Sequence, residues 1–145
     1  MWFQQDDAFD AQIKVRFGAV FARACRGELA PWRTTPMGRL AEIICLDQFS
    51  RNLYRDDPRA YDQDAMALAL AQEAVHTGAH WGLSVTQRWV LYMPFMHSES
   101  LWVHEHYSLP LFRALNLPEV WPHAQEHYET LKRHGCYPQR ARRSD

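Results

Sequence analysis

Apolar residues recur at helical spacing over almost the whole chain, and this periodicity limits the possible folds more than any other feature. In DDAFDAQIKVRFGAVFARACRG, Phe9, Ile13, Phe17, Phe21 and Ala24 form one stripe, and Gly27 closes it as a C-cap. ELAPWRTTPMG reads as a loop, after which Thr35 and Pro36 open a second helix from Met37 to about Ser50. Asp57-Pro58 repeats that start signal, and a third helix runs through DAMALALAQEAVHTG to Gly78. Ser84 and Gln87 make a capping box for a fourth helix, which Pro94 ends or kinks. Ser98 or Ser100 opens a fifth, closing near Asn116 and bent at Pro110 unless it is two pieces. Pro118 starts a sixth, which stops at Gly135. Sustained alternation and Asn-Gly turns are absent, so strands are not expected.

Six helices of roughly 10–20 residues with short connections predict an all-α fold of antiparallel αα-hairpins. No self-similar repeat stands out, and periodicity alone leaves both a bundle and a helical-repeat array open. A chain of 145 residues suits one domain with a real core. The expected boundaries are a helical domain over 1–138 and a basic, flexible, solvated tail over 139–145. Lys132, Arg133, Arg140, Arg142 and Arg143 make this end basic, but a net charge of -1 argues against a nucleic-acid or anionic-membrane partner.

Hydrophobic residues make up 47% and charged residues 23% of the chain, the range of ordinary globular domains. The aromatic share of 13%, with six Trp, fills a core or lines a pocket. Cys25, Cys45 and Cys136 form no CxxC pair, which suits reduced thiols in a cytosolic protein. MWFQQDDAFD lacks the basic and apolar regions of a secretory signal, and no apolar run reaches the roughly 18 residues of a membrane span. A soluble cytoplasmic protein is the expectation.

The sharpest local feature is LDQFSRN, Leu46 to Asn52, at the end of a helix that is apolar on most sides and therefore central. Asp47 and Arg51 are spaced i, i+4, as are Gln48 and Asn52, so the four are expected to form one patch at the core edge. Such a patch is either a structural ion pair with loop-tying amides, or a ligand site in which Arg51 holds an anion and Asp47 orients it.

Histidines form the second constellation. In PFMHSESLWVHEHY, His97 and His104 are two turns apart, about 10 Å along a helix, and His104 and His106 face different ways. This spacing is poor for a metal, and a solvated helix face with N-cap chemistry fits better. His123 and His127, spaced i, i+4, are able to share a face with Glu126 or Thr130. No GxSxG, P-loop or GxGxxG motif is present, so no cofactor and no metal are expected.

Taken together, LDQFSRN, RAYDQDAMALALA, MPFMHSES and HYETLKRHGCYPQR resemble a bacterial family of uncharacterised proteins with a tetratricopeptide-like, all-helical fold. The family's pattern reads roughly LDQFPRN, an Asp before an Ala/Leu-rich helix, P-x-x-HSED, and FG-x-FPHRN. Asp47, Gln48, Arg51 and Asn52 match the first motif, with Ser50 in place of its proline. Asp64 matches the acid, and His97, Ser98 and Glu99 match the third motif. His127, Gly135, Pro138 and Arg140 match the last, where Glu129 stands for an Asp, His134 for a Phe, and Gln139 and Ala141 for the His and Asn. Against that pattern the chain looks shortened at both ends, which is expected to expose apolar surface and favour a homodimer.

The resemblance makes these segments parts of one pattern that meets around a concave helical surface. The leading expectation is a binding module that holds a small anionic molecule or a peptide there. Asp47, Gln48, Arg51, Asn52, His97, Glu99 and His127 would form its site, with Trp89, Tyr92 and Trp102 nearby. One alternative is a hydrolase or lyase using Asp47, His97 or Glu99 as acid or base. The other is a scaffold or self-associating protein whose polar cluster is purely structural.

Overall fold

The computed structural model describes residues 7–140, and these form an all-α fold with no strand among them. Six helical runs carry it. The first, α1, is Asp7–Cys25. The second, α2, runs unbroken through Pro36–Ile44, a wider π turn at Cys45–Phe49, and Ser50–Leu53. Next come α3, Asp64–His76, and α4, Val85–His97. The fifth, α5, joins Leu101–Val103, a π turn at His104–Ser108, and Leu109–Leu115. The last, α6, is Trp121–His134.

The expected punctuation governs most ends. Gly27, Gly78 and Gly135 all have φ between 73° and 78°, the left-handed conformation that stops a helix at little cost for glycine. Thr35 accepts a hydrogen bond from the Gly38 N–H, and Ser84 and Gln87 close both bonds of the capping box. Neither Pro94 nor Pro110 ends its helix. Pro94 is buried inside α4, which continues to His97. Pro110 neither divides nor terminates α5: the π turn just before it widens the ring, and the Leu109 N–H reaches the His104 carbonyl five residues back. Asp57 does cap a start, but of a single 3₁₀ turn, Pro58–Tyr61; α3 begins later, at Asp64.

The second helix is the axis of the molecule. From Cys45 to Ser50 every residue is buried, because α1, α3 and α4 pack around it. Ala67, Ala71 and Ala74 on α3 are buried, and such small side chains permit close helix approach. On the other side α4 meets α5 and α6, where Phe95 and Phe112 are fully buried. Tyr92 sits edge-on to Phe112 at 6.0 Å, and Phe95 stacks on Tyr107 at 4.9 Å. Each such ring contributes about 1.5–3 kcal/mol by leaving water.

The stripe on α1 is buried at Ile13, Phe21 and Ala24, while Phe17 stacks on Phe49 at 5.2 Å and keeps 37% of its surface exposed. Where α2 begins, a Cβ on Gly38 would lie 1.9 Å from the Trp32 carbonyl oxygen, so only glycine fits. Glu42 is fully buried and forms a bidentate pair with Arg33, both contacts 2.7 Å. Burial pushes the Cys45 thiol up to about 11, and the three cysteines are free. Among the described residues no helix is long and apolar enough to cross a membrane.

Candidate functional site

The π turn in α2 turns Asp47 inward until its carboxylate is 1% exposed. An isolated charge there would be costly, so the site is organised around its partners. His97, the last residue of α4, brings Nδ1 to within 2.8 Å of Asp47 Oδ1. Gln48 donates Nε2–H to Oδ2 at 2.6 Å. Arg51 donates Nη1–H to the Asp47 carbonyl at 2.9 Å and lies 3.5 Å from Oδ1. Burial raises the Asp47 carboxyl, but the charges of His97 and Arg51 and the hydrogen bonds outweigh it, leaving it below the ordinary carboxylate range.

A second carboxylate organises the arginines. Asp64, at the start of α3, receives both forks of Arg51 at 2.9 and 3.0 Å and Nη2 of Arg140 at 2.9 Å. The same Arg140 nitrogen donates to the His97 carbonyl at 2.7 Å. Tyr61, delivered by the 3₁₀ turn, lies under both guanidinium groups, 4.5 Å from Arg140 and 5.4 Å from Arg51. Glu99 accepts the Tyr137 N–H at 2.7 Å and approaches Arg140 at 3.8 Å. The Tyr137 hydroxyl donates to the Met96 carbonyl at 2.6 Å.

Beside this network lies a cavity of about 780 Å³, the size of a small-molecule site. Arg51, Arg55 and Arg140 line it, and so do His97 and His127. The aspartates that pair with the arginines, Asp10 and Asp64, do not line it, nor does Asp47. The arginines thus line the cavity ahead of their own aspartate partners, and Glu126 is the carboxylate that does line it. His127 has Nδ1 2.8 Å from the His123 carbonyl and its ring edge-on to Tyr137 at 5.4 Å. Burial chiefly lowers its pKa against the opposing His123 hydrogen bond, and with Nδ1 on a carbonyl the neutral form of the ring carries Nδ1–H and an acceptor pair on Nε2.

Of the residues named from sequence, Asp47, Gln48, Arg51, His97, Glu99 and His127 come together here. Asn52 does not line the cavity: it is buried and donates to Asp10 Oδ1 at 2.8 Å, the oxygen that also pairs with the cavity-lining Arg55. The extra residue in the π turn breaks the i, i+4 register on which the single patch rested. Arg51, with its longer side chain, still spans it. The aromatic surround also differs. Tyr92 belongs to the core, Trp102 stacks on His106 at 56% exposure, and neither these nor Trp89 line the cavity. Tyr61 and Tyr137 supply the aromatic walls instead.

His104 is fully buried rather than on a solvated face, since the π turn in α5 rotates it inward. Its Nε2 lies 2.7 Å from the Ser98 carbonyl and 3.0 Å from the Tyr137 hydroxyl. Arg140, placed by sequence reasoning in the solvated tail, is held in the site; residues 141–145 lie outside the described ones. Tyr61 was missed because its only signal is its place three residues before Asp64, and Pro58 hides the turn that delivers it. Among the described residues no group of three or more His, Cys, Asp or Glu is placed to hold a metal ion. A second cavity of about 730 Å³ between α5 and α6 has Leu109, Pro110 and Trp121 in its walls, and its Glu105 is tied to the Tyr128 hydroxyl at 2.7 Å.

A fold of six helices around a buried Asp–His pair, with arginines on the cavity side, is the class this chain defines. The chain belongs to the family described as bacterial protein of unknown function, DUF924, whose pattern matches residues 1–143. It is similar to a solved structure of a protein of unknown function from Agrobacterium tumefaciens, with 32% identity and a TM-score of 0.93. That likeness covers 99% of this chain and 80% of the other. No curated protein matches the sequence.

Proposed function

We propose that the chain binds a small anionic molecule in the cavity beside His97. One observation carries this reading: three guanidinium groups, Arg51, Arg55 and Arg140, line the cavity while their aspartate partners stand behind them. An anion entering the cavity meets pre-oriented donors that are already held in position, which lowers the ordering cost of binding. The cavity's size favours a small molecule over a peptide. We read the six runs as a tetratricopeptide-like array in a cytoplasmic protein, with this cavity on the hollow side; contacts within the α3–α4 and α5–α6 pairs support the arrangement.

The test is isothermal calorimetry with inorganic phosphate as the probe. Binding is expected to weaken about tenfold or more in Arg140→Ala, since a hydrogen bond to a charged group contributes about 1.5–3 kcal/mol, and to weaken with added salt. Absence of heat from phosphate and also from citrate would defeat the reading. A specific observation favours a second one: Arg51 already closes its fork on Asp64, so the network is also able to serve as a lock between α2, α3 and α4. Under that reading Arg140→Ala lowers stability and leaves no binding to lose.

A further inference from the structure

We infer that His97 and His127 act as a general acid and general base on a phosphate diester held in the cavity. This rests on the anion-binding reading and adds chemistry to it. The geometric basis is shared by the two rings. Each has Nδ1 fixed, on Asp47 Oδ1 at 2.8 Å for His97 and on the His123 carbonyl at 2.8 Å for His127. Each lines the same cavity, from different helices, and has Nε2 left for a ligand. A fixed Nδ1 sets both the tautomer and the plane of the ring, as general acid–base chemistry requires.

The two environments give the rings different roles. His97 has its Nδ1 on the Asp47 carboxylate, whereas His127 has only a neutral carbonyl partner. Burial chiefly holds the His127 pKa below the ordinary imidazole value. The groups facing the pair are Asp47 and Arg51 from α2, His104 from α5, His123 and Glu126 from α6, and Tyr137 and Arg140 beyond it. An imidazole backed by a carboxylate and one backed by a carbonyl, on one cavity, can give one proton and take another in a single turnover.

For a diester the balance is as follows. His127 Nε2 takes a proton from water, and the water oxygen forms a bond to phosphorus. The bond from phosphorus to the leaving oxygen breaks, and that oxygen takes the Nε2 proton of His97. The products are a monoester and an alcohol, and solvent returns the two rings to their starting states. The class of substrate follows from charge. The arginines are largely compensated by Asp10 and Asp64, so the cavity suits the single charge of a diester better than the double charge of a monoester.

The experiment uses the full chain with bis(p-nitrophenyl) phosphate as substrate and inorganic phosphate as a separate binding probe. Wild type is expected to release p-nitrophenolate, and His127→Gln and His97→Gln to lower kcat by about 100-fold or more. Phosphate affinity in His127→Gln should stay within about threefold, since a neutral imidazole adds little to anion binding. His97→Gln disturbs a buried carboxylate and risks the fold; the His127 ring bonds only its own helix, so His127→Gln carries the test. Equal turnover by wild type and His127→Gln, or phosphate binding with no turnover at all, overturns the acid–base pair while leaving anion binding standing. Failure of phosphate to bind wild type overturns both.

Discussion

His97 Nδ1 and Asp47 Oδ1, fifty residues apart in the chain, meet at 2.8 Å where the end of α4 crosses the π turn of α2. Because Asp47 is 1% exposed, its removal and its neutralisation should differ. Asp47→Ala strips His97 and Gln48 of their acceptor and opens a polar void, and a loss of about 3–5 kcal/mol is expected. Asp47→Asn keeps the shape and should cost less. Urea unfolding of the two variants measures this, and a loss under about 1 kcal/mol in Asp47→Ala would show that the pair does not anchor the core.

Arg33 and Glu42 should respond asymmetrically. Glu42 is fully enclosed, while the Arg33 side chain keeps 27% of its surface in water. Arg33→Ala strands a buried carboxylate and should cost about 3–5 kcal/mol. Glu42→Gln leaves an arginine that can still reach solvent and should cost less. Chemical denaturation that ranks the two variants the other way would contradict this account of the pair.

Acid should weaken the fold in two stages. His104 and His127 have lowered pKa values, burial first among the causes, so below an unfolded value of about 6.5 the unfolded chain binds protons that the folded one refuses. Stability therefore falls as pH drops below that value. Asp47 and Asp10 are also lowered; for Asp10 the chief cause is its hydrogen bond from Arg55. Their contribution is complete above an unfolded value of about 3.9 and is lost as pH falls from there through the folded values. Denaturation over a pH series should show both stages, with the first reduced in His104→Phe.

Gly38→Ala tests a backbone approach. Its new Cβ would overlap the Trp32 carbonyl, which is main chain and cannot swing aside. A destabilisation of about 1–3 kcal/mol is expected. A thermal midpoint equal to that of the parent would mean that the loop before α2 yields easily.

Glu99→Gln tests what holds Tyr137 and Arg140 over the cavity. The substitution weakens the Tyr137 N–H bond and removes the charge facing Arg140. Amide exchange at Tyr137 should accelerate severalfold, while global stability changes by less than about 1 kcal/mol. Unchanged exchange would assign the anchoring to Asp64 and the His97 carbonyl instead.

The helices were legible because their signals are local. A glycine after a stripe, or Ser84 three residues before Gln87, acts through bonds within one turn. The Asp47–Arg51 pairing was legible for the same reason; the resemblance added Asp64 and joined His97 and His127 to the same pattern. Three features were not. The π turns leave no signature in apolar spacing, so Asn52 was grouped with Asp47 and Arg51 rather than with Asp10, and His104 was placed on the surface. Tyr61 and Arg140 meet across 79 residues of chain, which no periodicity encodes. Arg140 looked like part of a basic tail because composition cannot distinguish a solvated guanidinium from one with two acceptors.

The two π turns also bear on how this fold tolerates changes in length. A π turn is what remains when a helix accepts one additional residue without disturbing either flank. Removing one residue from Cys45–Phe49 or His104–Ser108 would return that stretch to an ordinary α turn and leave both ends of the helix where they were. The same deletion elsewhere in α2 would rotate everything beyond it by about 100° and carry Arg51 away from Asp64. Single-residue gaps within helices of related chains are therefore expected at these two places, and a chain gapped at the first would lack an inward-turned Asp47.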